Sequence, residues 1–434
     1  MFALLASYVF LCGILRTAVA ANPKYVFAHF MAPNAYSYEV SDWQTDISEA
    51  QATFIDGFVL NIQTINMAII EGKIDDAFSV AEPAGFYLIP SFDFTDDWNV
   101  TDMERIVLAH ASSPSAFWYN NGLLVSTYGG ESHDDSYWGG FKADLLAQGV
   151  NVTFAPAFTS YRDPDSAGTL LETYASLDGF FNWWSWPDDV DANLTTTVDL
   201  AYQAAAESRG GPYIMSVSPW QFKELGGTQD WVELSDTLWY YRWLQAIEEV
   251  NPDIVEIVTW NDYAESHYIG DINPNVNLGD VAPLYVDGFV HSPWRNVAQY
   301  FIPWYKTGAA PAVTDDQVIF WYRSHPKSVT CAQGDLPRMS TFPVDAVFAL
   351  ALISPASASS GVTVTLDIGS SHYQWDAPQG ASMGSVPFPV EDAQIPFVQI
   401  IRTEGTKSGY GSMYVTQTDC TIYNFNPWVG IVQL

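Results

Sequence analysis

Short apolar segments alternate with segments of helical periodicity along the first 260 residues. The apolar segments are rich in β-branched and aromatic residues, which is typical of buried strands. They predict eight strands, at residues 25–30, 57–62, 86–92, 123–128, 152–158, 179–184, 213–218 and 254–260. The amphipathic segments between them predict helices at residues 48–54, 65–81, 101–111, 140–148, 169–176, 195–208 and 235–249.

Regular alternation of strands and helices predicts a parallel sheet covered by helices. Eight such units over about 240 residues favour a (β/α)8 TIM barrel over an open doubly wound sheet. The first strand is not followed by a G-x-G-x-x-G motif, which further disfavours a dinucleotide-binding fold. In a (β/α)8 barrel the chemistry lies at the carboxyl ends of the strands. Polar and aromatic residues at these ends are therefore the candidates for a site.

The pattern changes near the end of a helix predicted within residues 287–306. Residues 308–317 contain Ala, Pro and Gly and predict a linker. Apolar residues then follow the period of strands, at 318–322, 346–353, 362–368, 398–401, 413–415 and 420–425, which predicts an antiparallel β-sandwich. We thus expect a signal peptide at 1–20, a catalytic barrel at 21–307, a linker at 308–317 and a β-sandwich at 318–434.

The first 20 residues have the features of a secretory signal. Residues 2–15 are apolar, and the small residues of Ala18-Val19-Ala20 predict cleavage near Ala20. No basic residue precedes the apolar segment, so an uncleaved anchor remains an alternative. Cleavage would remove Cys12 and leave Cys331 and Cys420, which predicts one disulfide in an oxidising compartment. Sequons predict glycosylation at Asn99, Asn151 and Asn193. We therefore expect a secreted protein, extracellular or in a cell wall.

The acidic composition narrows the range of partners. The chain has 16 Lys and Arg against 50 Asp and Glu, which gives a net charge of −34. This charge repels nucleic acids and anionic lipid surfaces but imposes no such cost on a neutral polysaccharide. We expect a monomer that binds neither nucleic acid nor, after signal removal, a membrane.

Common cofactor and metal motifs are absent from the sequence. It contains no H-E-x-x-H, C-x-x-C, EF-hand, Walker A or G-x-S-x-G motif, and its seven His residues are scattered. We expect no metal and no organic cofactor. A serine triad is not excluded by one sequence, but no motif indicates one.

Two carboxylates follow the eighth predicted strand, within residues 259–268. Asp262 and Glu265 lie among Trp260, Tyr263 and Tyr268. Glycosidic cleavage uses one carboxylic acid to protonate the leaving oxygen and a second carboxylate to activate water or attack the sugar. The sequence spacing allows either the close or the wide carboxylate separation, so it does not distinguish retention from inversion. The alternative is an N-terminal capping pattern, in which Asp caps a helix and Glu lies one turn later.

Other polar and aromatic residues recur at the ends of the predicted strands. A ring of Trp and Tyr around carboxylates predicts a sugar-binding cleft, because aromatic faces match the apolar faces of pyranose rings. The predicted lining residues are His29, Asn61, Asp93, Trp184, Trp220, Trp260, Asn261 and His267. Alternatively, His29 is a core residue, Asp93 is a helix N-cap and the Trp-rich run at 183–186 caps the core. Asp56 precedes its strand, so its position predicts a structural role at the opposite face.

Four segments together resemble a known family: V-F-A-H-F-M at 26–31, I-D-G-F-V-L-N at 55–61, S-V-S-P-W at 216–220 and T-W-N-D-Y-A-E-S-H-Y-I-G at 259–270. Over residues 25 to about 430 the chain resembles the fungal α-1,3-glucanases (mutanases) of glycoside hydrolase family 71. The resemblance implies a secreted endo-hydrolase of α-1,3-glucan that works with inversion. It also implies that Asp262 and Glu265 are the catalytic pair and that Asp56 is important, which conflicts with the position of Asp56. Ala264 stands where the family commonly has Gly.

The sequence thus predicts a secreted glycoside hydrolase that cleaves internal α-1,3-glucosidic bonds of α-1,3-glucan. We expect Glu265 as the general acid and Asp262 as the base, with the reverse order open. One alternative is a barrel glycosidase for another α-linked glycan, such as α-mannan. The other is an inactive wall protein that retains the aromatic cleft and binds glycan.

Overall fold

The computed structural model describes residues 23–224 and 230–434, so the predicted signal peptide, with Cys12, lies outside the described residues. All eight predicted apolar segments contain a strand. These strands are β1 (Tyr25–Met31), β2 (Gly57–Ile62), β3 (Tyr87–Asp93), β4 (Gly122–Tyr128), β5 (Val152–Phe154), β6 (Phe180–Asn182), β7 (Tyr213–Val217) and β8 (Ile254–Ile257).

The eight strands pair in parallel in one curled sheet. Pairing runs β4–β3–β2–β1–β8–β7–β6, and β5 pairs with the free edge of β4. Between β5 and β6, the amide of Gly179 donates to the carbonyl of Phe154 at 3.1 Å, and the amide of Phe181 donates to that of Pro156 at 3.0 Å. The carboxyl ends of these strands therefore point the same way, as the alternating pattern predicts.

Helices connect the strands and cover the outer face of the sheet. They are α1 (Val40–Ala52), α2 (Met67–Ala84), α3 (Val100–His110), α4 (Asp135–Ala147), α5 (Ser166–Thr173), α6 (Thr197–Glu207), α7 (Leu238–Leu244), α8 (Pro283–Val286) and α9 (Trp294–Thr307). The turn at Gln245–Val250 extends α7 as a π-helix. In the described part of the chain, no helix is both long and apolar enough to span a bilayer.

The pleat of β1 divides the core into two layers. Val26, Ala28 and Phe30 belong to the apolar cluster shared with the helices, whereas Phe27 belongs to the cluster inside the curled sheet. Side chains alternate between the faces of a strand with a period of two. His29 therefore points into the interior of the sheet, as Phe27 does.

The C-terminal region consists of two antiparallel sheets. Its strands are β9 (Gln317–Arg323), β10 (Ala346–Ile353), β11 (Val362–Ile368), β12 (Ser371–Asp376), β13 (Gly380–Pro387), β14 (Phe397–Arg402), β15 (Gly405–Tyr410) and β16 (Pro427–Gln433), with a short helix α10 (Pro355–Ser360). One sheet has the order β13–β10–β9–β16 and the other β12–β11–β14–β15. The predicted strands at 413–415 and 420–425 contain only isolated bridges. The pattern also missed β12, β13, β15 and β16, three of which carry few apolar residues.

The first of these sheets lies between the helices and the second sheet. In β9, Val318, Phe320 and Tyr322 face the sandwich core, while Ile319 and Trp321 join the core of the N-terminal region. The indole Nε1 of Trp321 donates to the carbonyl of Asp236 at 2.9 Å. The two regions therefore share one continuous apolar core.

The predicted disulfide between Cys331 and Cys420 is present and confirms that expectation. All three predicted glycosylation residues, Asn99, Asn151 and Asn193, are exposed, so an oligosaccharide has access to each. Asn99 also caps α3, because its side-chain oxygen accepts a hydrogen bond from the amide of Thr101 at 3.1 Å.

Candidate active site

The loop that follows β8 carries both candidate carboxylates. The amide of Trp260 donates to the carbonyl of His29 at 2.8 Å, which extends the pairing of β8 with β1. The chain then folds back on itself, because the amide of Thr259 donates to the carbonyl of His267 at 2.9 Å and the amide of Gly270 donates to that of Trp260 at 2.8 Å. These bonds fix the loop at the carboxyl end of the sheet.

Hydrogen bonds within the loop orient Asp262. Its amide donates to Thr259 Oγ1 at 2.8 Å, and its Oδ1 accepts the amide of Glu265 at 3.1 Å. The latter is the capping contact that the sequence left as an alternative, here in a turn without a helix. One oxygen of Asp262 thus holds the turn, while Oδ2 lies 4.0 Å from Nε2 of His267.

Three side chains surround the carboxylate of Glu265. Lys223 Nζ lies 2.8 Å from Oε1, and Gln221 Nε2 donates to Oε2 at 3.1 Å. Nε2 of the fully buried His267 lies 3.3 Å from Oε2, and its Nδ1 lies 3.2 Å from Thr259 Oγ1. The side chains of Asp262 and Glu265 are 15% and 24% exposed. Both carboxylates therefore remain accessible to a ligand.

The pKa values of the two carboxyl groups are shifted in opposite directions. Burial raises the pKa of Asp262, and the nearby charge of Glu265 raises it further. Burial also acts to raise the pKa of Glu265, but the hydrogen bond from His267 and the charge of Lys223 outweigh it, so the pKa falls below its usual range. A carboxylate oxygen of each lies within 4.8 Å of the other. Asp262 therefore holds a proton more readily than Glu265 does, and such a difference within a carboxyl pair is what acid–base catalysis uses.

Lys223 and Gln221 were not predicted as site residues. They lie directly after the S-V-S-P-W segment at 216–220, and Lys223 belongs to the two-residue strand Phe222–Lys223, which pairs with Trp231–Val232. Lys223 Nζ also lies 4.8 Å from the centre of the Trp231 ring. A lysine near a carboxylate motif carries no signal in sequence, because nothing in the spacing fixes a contact across 42 residues.

The interior beneath the pair contains a second ionisable pair. His29 Nδ1 lies 2.7 Å from Oε1 of Glu256, and both side chains are almost fully buried. Burial raises the pKa of Glu256, and the hydrogen bond and charge of His29 oppose the rise. The Trp183 ring contacts both His29 and Tyr128, at 4.9 and 4.8 Å between ring centres. His29 is thus a hydrogen-bonded core residue, as the alternative held. Glu256 was missed because it lies within its strand between apolar neighbours and not at the carboxyl end of the strand, where candidates were expected.

Asn61 and Asp93 lie buried at the carboxyl ends of β2 and β3. Asp93 Oδ1 accepts the amide of Thr95 at 2.9 Å, and Oδ2 accepts Gln63 Nε2 at 3.1 Å. Asp93 therefore stabilises the turn after β3 and is not a helix N-cap, because the N-cap of α3 is Asn99.

The three predicted tryptophans differ in accessibility. Trp184 is partly exposed, and the guanidinium of Arg162 lies 3.6 Å from the centre of its ring. Trp220 is 1% exposed and donates from Nε1 to the carbonyl of Phe425 at 2.9 Å. Trp260 is fully buried and packs against Phe58 in the helix-facing core. Trp220 and Trp260 therefore present no face to a sugar in this structure.

The Asn261 side chain is buried and binds the backbone of β1. Its Oδ1 accepts the amide of Met31 at 2.7 Å, and its Nδ2 donates to the carbonyl of Met31 at 3.3 Å. Asn261 thus fixes the loop that carries the two carboxylates to the end of β1. The Trp186 ring, which was not predicted as a site residue, contacts His267 at 5.2 Å between ring centres.

Asp56 lies at the opposite end of the sheet. Its Oδ2 accepts the amide of Val26 at 2.8 Å, at the start of β1, and its carboxylate lies 2.7 Å from Lys306 Nζ. The structure does not bring Asp56 to the carboxylate pair. Its contacts agree with the structural role that its position before β2 predicted.

Two clusters in the described part of the chain have ligand atoms close enough to hold a metal ion. One is formed by Asp262, Glu265 and His267, where the ammonium of Lys223 already neutralises Glu265. The other contains His325 with Cys331 and Cys420, whose sulfur atoms are joined in the disulfide. Neither cluster favours a metal ion. In the first, the ammonium of Lys223 already pairs with Glu265, and in the second both cysteines are in the disulfide and so offer no thiolate.

Known proteins with similar sequences are fungal glucanases. The chain is 34% identical to a glucan endo-1,3-alpha-glucosidase of Schizosaccharomyces pombe, over 94% of this chain and 95% of that protein. It is 32% identical to a mutanase of Penicillium rubens, over 94% of this chain and 89% of that protein. An ascus wall endo-1,3-alpha-glucanase of S. pombe is 28% identical over 93% of this chain and 96% of that protein.

Among solved structures, the fold is similar to the GH99 endo-alpha-mannosidase of Bacteroides thetaiotaomicron. The TM-score is 0.52 at 11% sequence identity, and the match covers 65% of this chain and 98% of that chain. The family profile of glycosyl hydrolase family 71 matches residues 22–434, which include the carboxylate loop and both C-terminal sheets. The chain belongs to glycosyl hydrolase family 71.

Proposed function

We propose that the protein is a secreted, endo-acting hydrolase of α-1,3-glucan, with Asp262 and Glu265 as its catalytic pair. The observation that carries the proposal is the accessible carboxylate pair, whose members have oppositely shifted pKa values. The names of the two relatives above 30% identity, which refer to endo-1,3-alpha-glucosidase and mutanase, support the linkage. The intact carboxylate pair argues against an inactive glycan-binding protein.

In the proposed reaction, one member of the pair protonates the glycosidic oxygen while the other removes a proton from the attacking water. His267 holds Glu265 in place, and the charge of Lys223 favours the ionised form of Glu265. This charge distribution favours Asp262 as the proton carrier, which is the reverse of the order expected from sequence. Two coupled carboxyl groups titrate as a pair. The proposal therefore requires only that the pair carry one proton, and experiment decides which residue donates it to the glycosidic oxygen.

Azide rescue is the experiment that assigns the roles. Azide replaces the activated water when the base is missing, so it should restore turnover in only one of the variants Asp262→Asn and Glu265→Gln. The variant that lacks the acid should instead recover with a substrate that has an activated leaving group. Equal rescue of both variants by azide would contradict a division of labour within the pair.

The proposal keeps inversion, which the resemblance implies. Inverting enzymes separate their carboxyl groups by roughly 6.5–9.5 Å to admit water, whereas retaining enzymes hold them about 5 Å apart. The oxygens of this pair lie within 4.8 Å. Inversion therefore requires that the two carboxylates leave room for a water molecule beside the bound sugar. An NMR time course of the first products tests this: a β-anomer supports inversion, and an α-anomer contradicts it.

The proposed architecture is a closed (β/α)8 barrel at residues 21–307, a linker at 308–317 and a β-sandwich at 318–434. The hydrogen bonds from Gly179 and Phe181 to the end of β5 support closure, because they join the two strands at the edges of the paired sheet. We further propose a cleaved signal peptide at 1–20, glycans on Asn99, Asn151 and Asn193, and a monomer that needs no cofactor. Among the predicted lining residues, Trp184 is the one with a partly exposed side chain, so it remains the candidate for direct contact with substrate.

A substrate panel tests the proposed specificity. The purified protein should release reducing ends from α-1,3-glucan and should leave α-1,4-glucan and α-mannan intact. Release from α-mannan alone would favour the alternative glycosidase. Binding to glucan without release of reducing ends would favour the inactive protein.

A further inference from the structure

The outer face of the second C-terminal sheet is unusually regular. In β11 and β14, Val364, Leu366, Val398 and Ile400 are buried in the sandwich core. The residues between them therefore point outward. The strand register aligns Gln374, Thr365, Gln399 and Ser408 in one row across all four strands. This row runs perpendicular to the strands. Thr365 is buried and its hydroxyl bonds to Gln399, so the row presents the amides of Gln374 and Gln399 and the hydroxyl of Ser408.

An aromatic pair continues the next row on the same face. Phe397 is aligned with Tyr410, and their ring centres lie 4.4 Å apart with an angle of 31° between the planes. Tyr410 is 68% exposed. We name the surface formed by this pair and the row of Gln374, Thr365, Gln399 and Ser408 the outer platform. Four strands at a spacing of about 4.8 Å make it about 14 Å wide, which is wide enough for several sugar rings.

The charges of the outer platform restrict its partner. None of its positions carries Lys or Arg, and the chain as a whole has a net charge of −34. The adjacent residues Asp367 and His372 bind each other at 2.6 Å, so the edge of the surface is internally paired. A polyanion would be repelled and a polycation would meet few carboxylates here. Amides, hydroxyls and aromatic faces are instead the groups that bind a neutral carbohydrate.

We infer that the outer platform is a second glycan-binding surface, which holds the flat face of an insoluble neutral glucan apart from the catalytic pair. A broad, open sheet face suits packed polysaccharide chains, whereas the carboxylate pair must surround a single chain. The inference rests on the proposed function for the identity of the glycan. The aromatic residues Tyr373 and Trp375 are not part of this surface, because their register with Leu366 and Val364 directs them to the opposite face.

Binding to insoluble α-1,3-glucan tests the inference. The experiment compares Tyr410→Ala and the double variant Gln399→Ala/Tyr410→Ala in a Glu265→Gln background, so that the glucan is not consumed. Trp118→Ala is the matched control, because Trp118 is 41% exposed and lies in the N-terminal region. We expect the single platform variant to weaken sedimentation with the glucan by about tenfold, the double variant to weaken it further, and the control to bind as the parent does.

Hydrolysis of a soluble α-1,3-oligosaccharide separates this inference from the proposed function. With Glu265 intact, the platform variants should cleave the oligosaccharide at the parent rate. The platform residues are distant in sequence from the catalytic loop and do not contact it. If the parent does not cleave the oligosaccharide, the proposed function fails, while the sedimentation assay still reports on binding. Unchanged sedimentation of the double variant would overturn the inference. Loss of a dimer in the platform variants, measured by analytical ultracentrifugation, would overturn it in favour of an interface between two copies of this chain.

Discussion

Lys223→Met should move one limb of the pH–activity profile to higher pH. Lys223 Nζ lies 2.8 Å from Glu265 Oε1, and the two side chains are only 15% and 24% exposed. The positive charge stabilises the ionised carboxylate, so its removal must raise the pKa of Glu265. Met keeps the length and apolar stem of Lys while it removes the charge.

The magnitude follows from the contact. A hydrogen bond to a charged group contributes about 1.5–3 kcal/mol. The full Coulomb energy at this distance is larger, at about 6 kcal/mol for an effective dielectric constant of 20, but water that replaces the ammonium recovers part of it. Because about 1.4 kcal/mol corresponds to one pH unit, the limb should move upward by about one to two pH units.

The assay is the pH dependence of kcat/KM on a soluble α-1,3-oligosaccharide. If Glu265 is the base, the acidic limb moves; if Glu265 is the acid, the alkaline limb moves. The same measurement thus assigns the role of Glu265 independently of azide rescue. Lys407→Met is the control, because Lys407 is exposed on β15, and its profile should match that of the parent. A lower kcat/KM with both limbs unmoved would refute the reasoning and indicate that Lys223 contacts substrate instead.

Four further predictions follow from individual contacts. Asp262→Asn and Glu265→Gln should each lower kcat by about 10²–10⁴-fold with an unchanged melting temperature; near-parent turnover in both would remove the pair from the mechanism. Burial raises the pKa of Asp46 to about 7, despite a hydrogen bond from Tyr38, so its contribution to stability is complete below pH 4 and is lost as the pH rises through 7. The parent should lose about 2 kcal/mol of unfolding free energy from pH 5 to pH 7, and Asp46→Asn should not show this loss. Denaturant unfolding measures both, and the same pH dependence in the two proteins would contradict the raised pKa of Asp46. Replacing Cys331 and Cys420 by Ser opens a link between residues 89 apart and should cost about 2–5 kcal/mol of unfolding free energy, whereas an equal stability of the two proteins would show that the reduced chain is already constrained. Trp220→Ala should lower stability by about 3–5 kcal/mol, and Trp220→Phe, which fills most of the volume, should retain the parent KM; a raised KM in Trp220→Phe would show that the indole contacts substrate after all.

The carboxylate pair could be predicted from sequence because its geometry is local. Asp262 and Glu265 lie in one loop after a buried strand, and hydrogen bonds within that loop hold them together. The eight parallel strands could also be predicted from sequence, because strands buried on both faces appear as continuous apolar segments. The polar strands β12 and β15 gave no such signal, because their partners β11 and β14 supply the pairing.

The sequence did not show whether each aromatic side chain at a strand end faces the cleft or the core. Trp220 and Trp260 stand at strand ends, as cleft residues would, yet tertiary packing places both indoles in the core. The twist of the sheet and the return of the C-terminal segment to Trp220 decide this outcome, and neither has a local pattern.

The sequence by itself thus determined the order of strands and helices, the disulfide pair and the two neighbouring carboxylates, because each depends on composition or on contacts within a few residues. Only the tertiary structure decided which groups set the charge of those carboxylates and which residues form the outer platform. Lys223 and the rows of the second sheet act across gaps in sequence, and distances across such gaps are fixed by packing and strand register rather than by spacing along the chain.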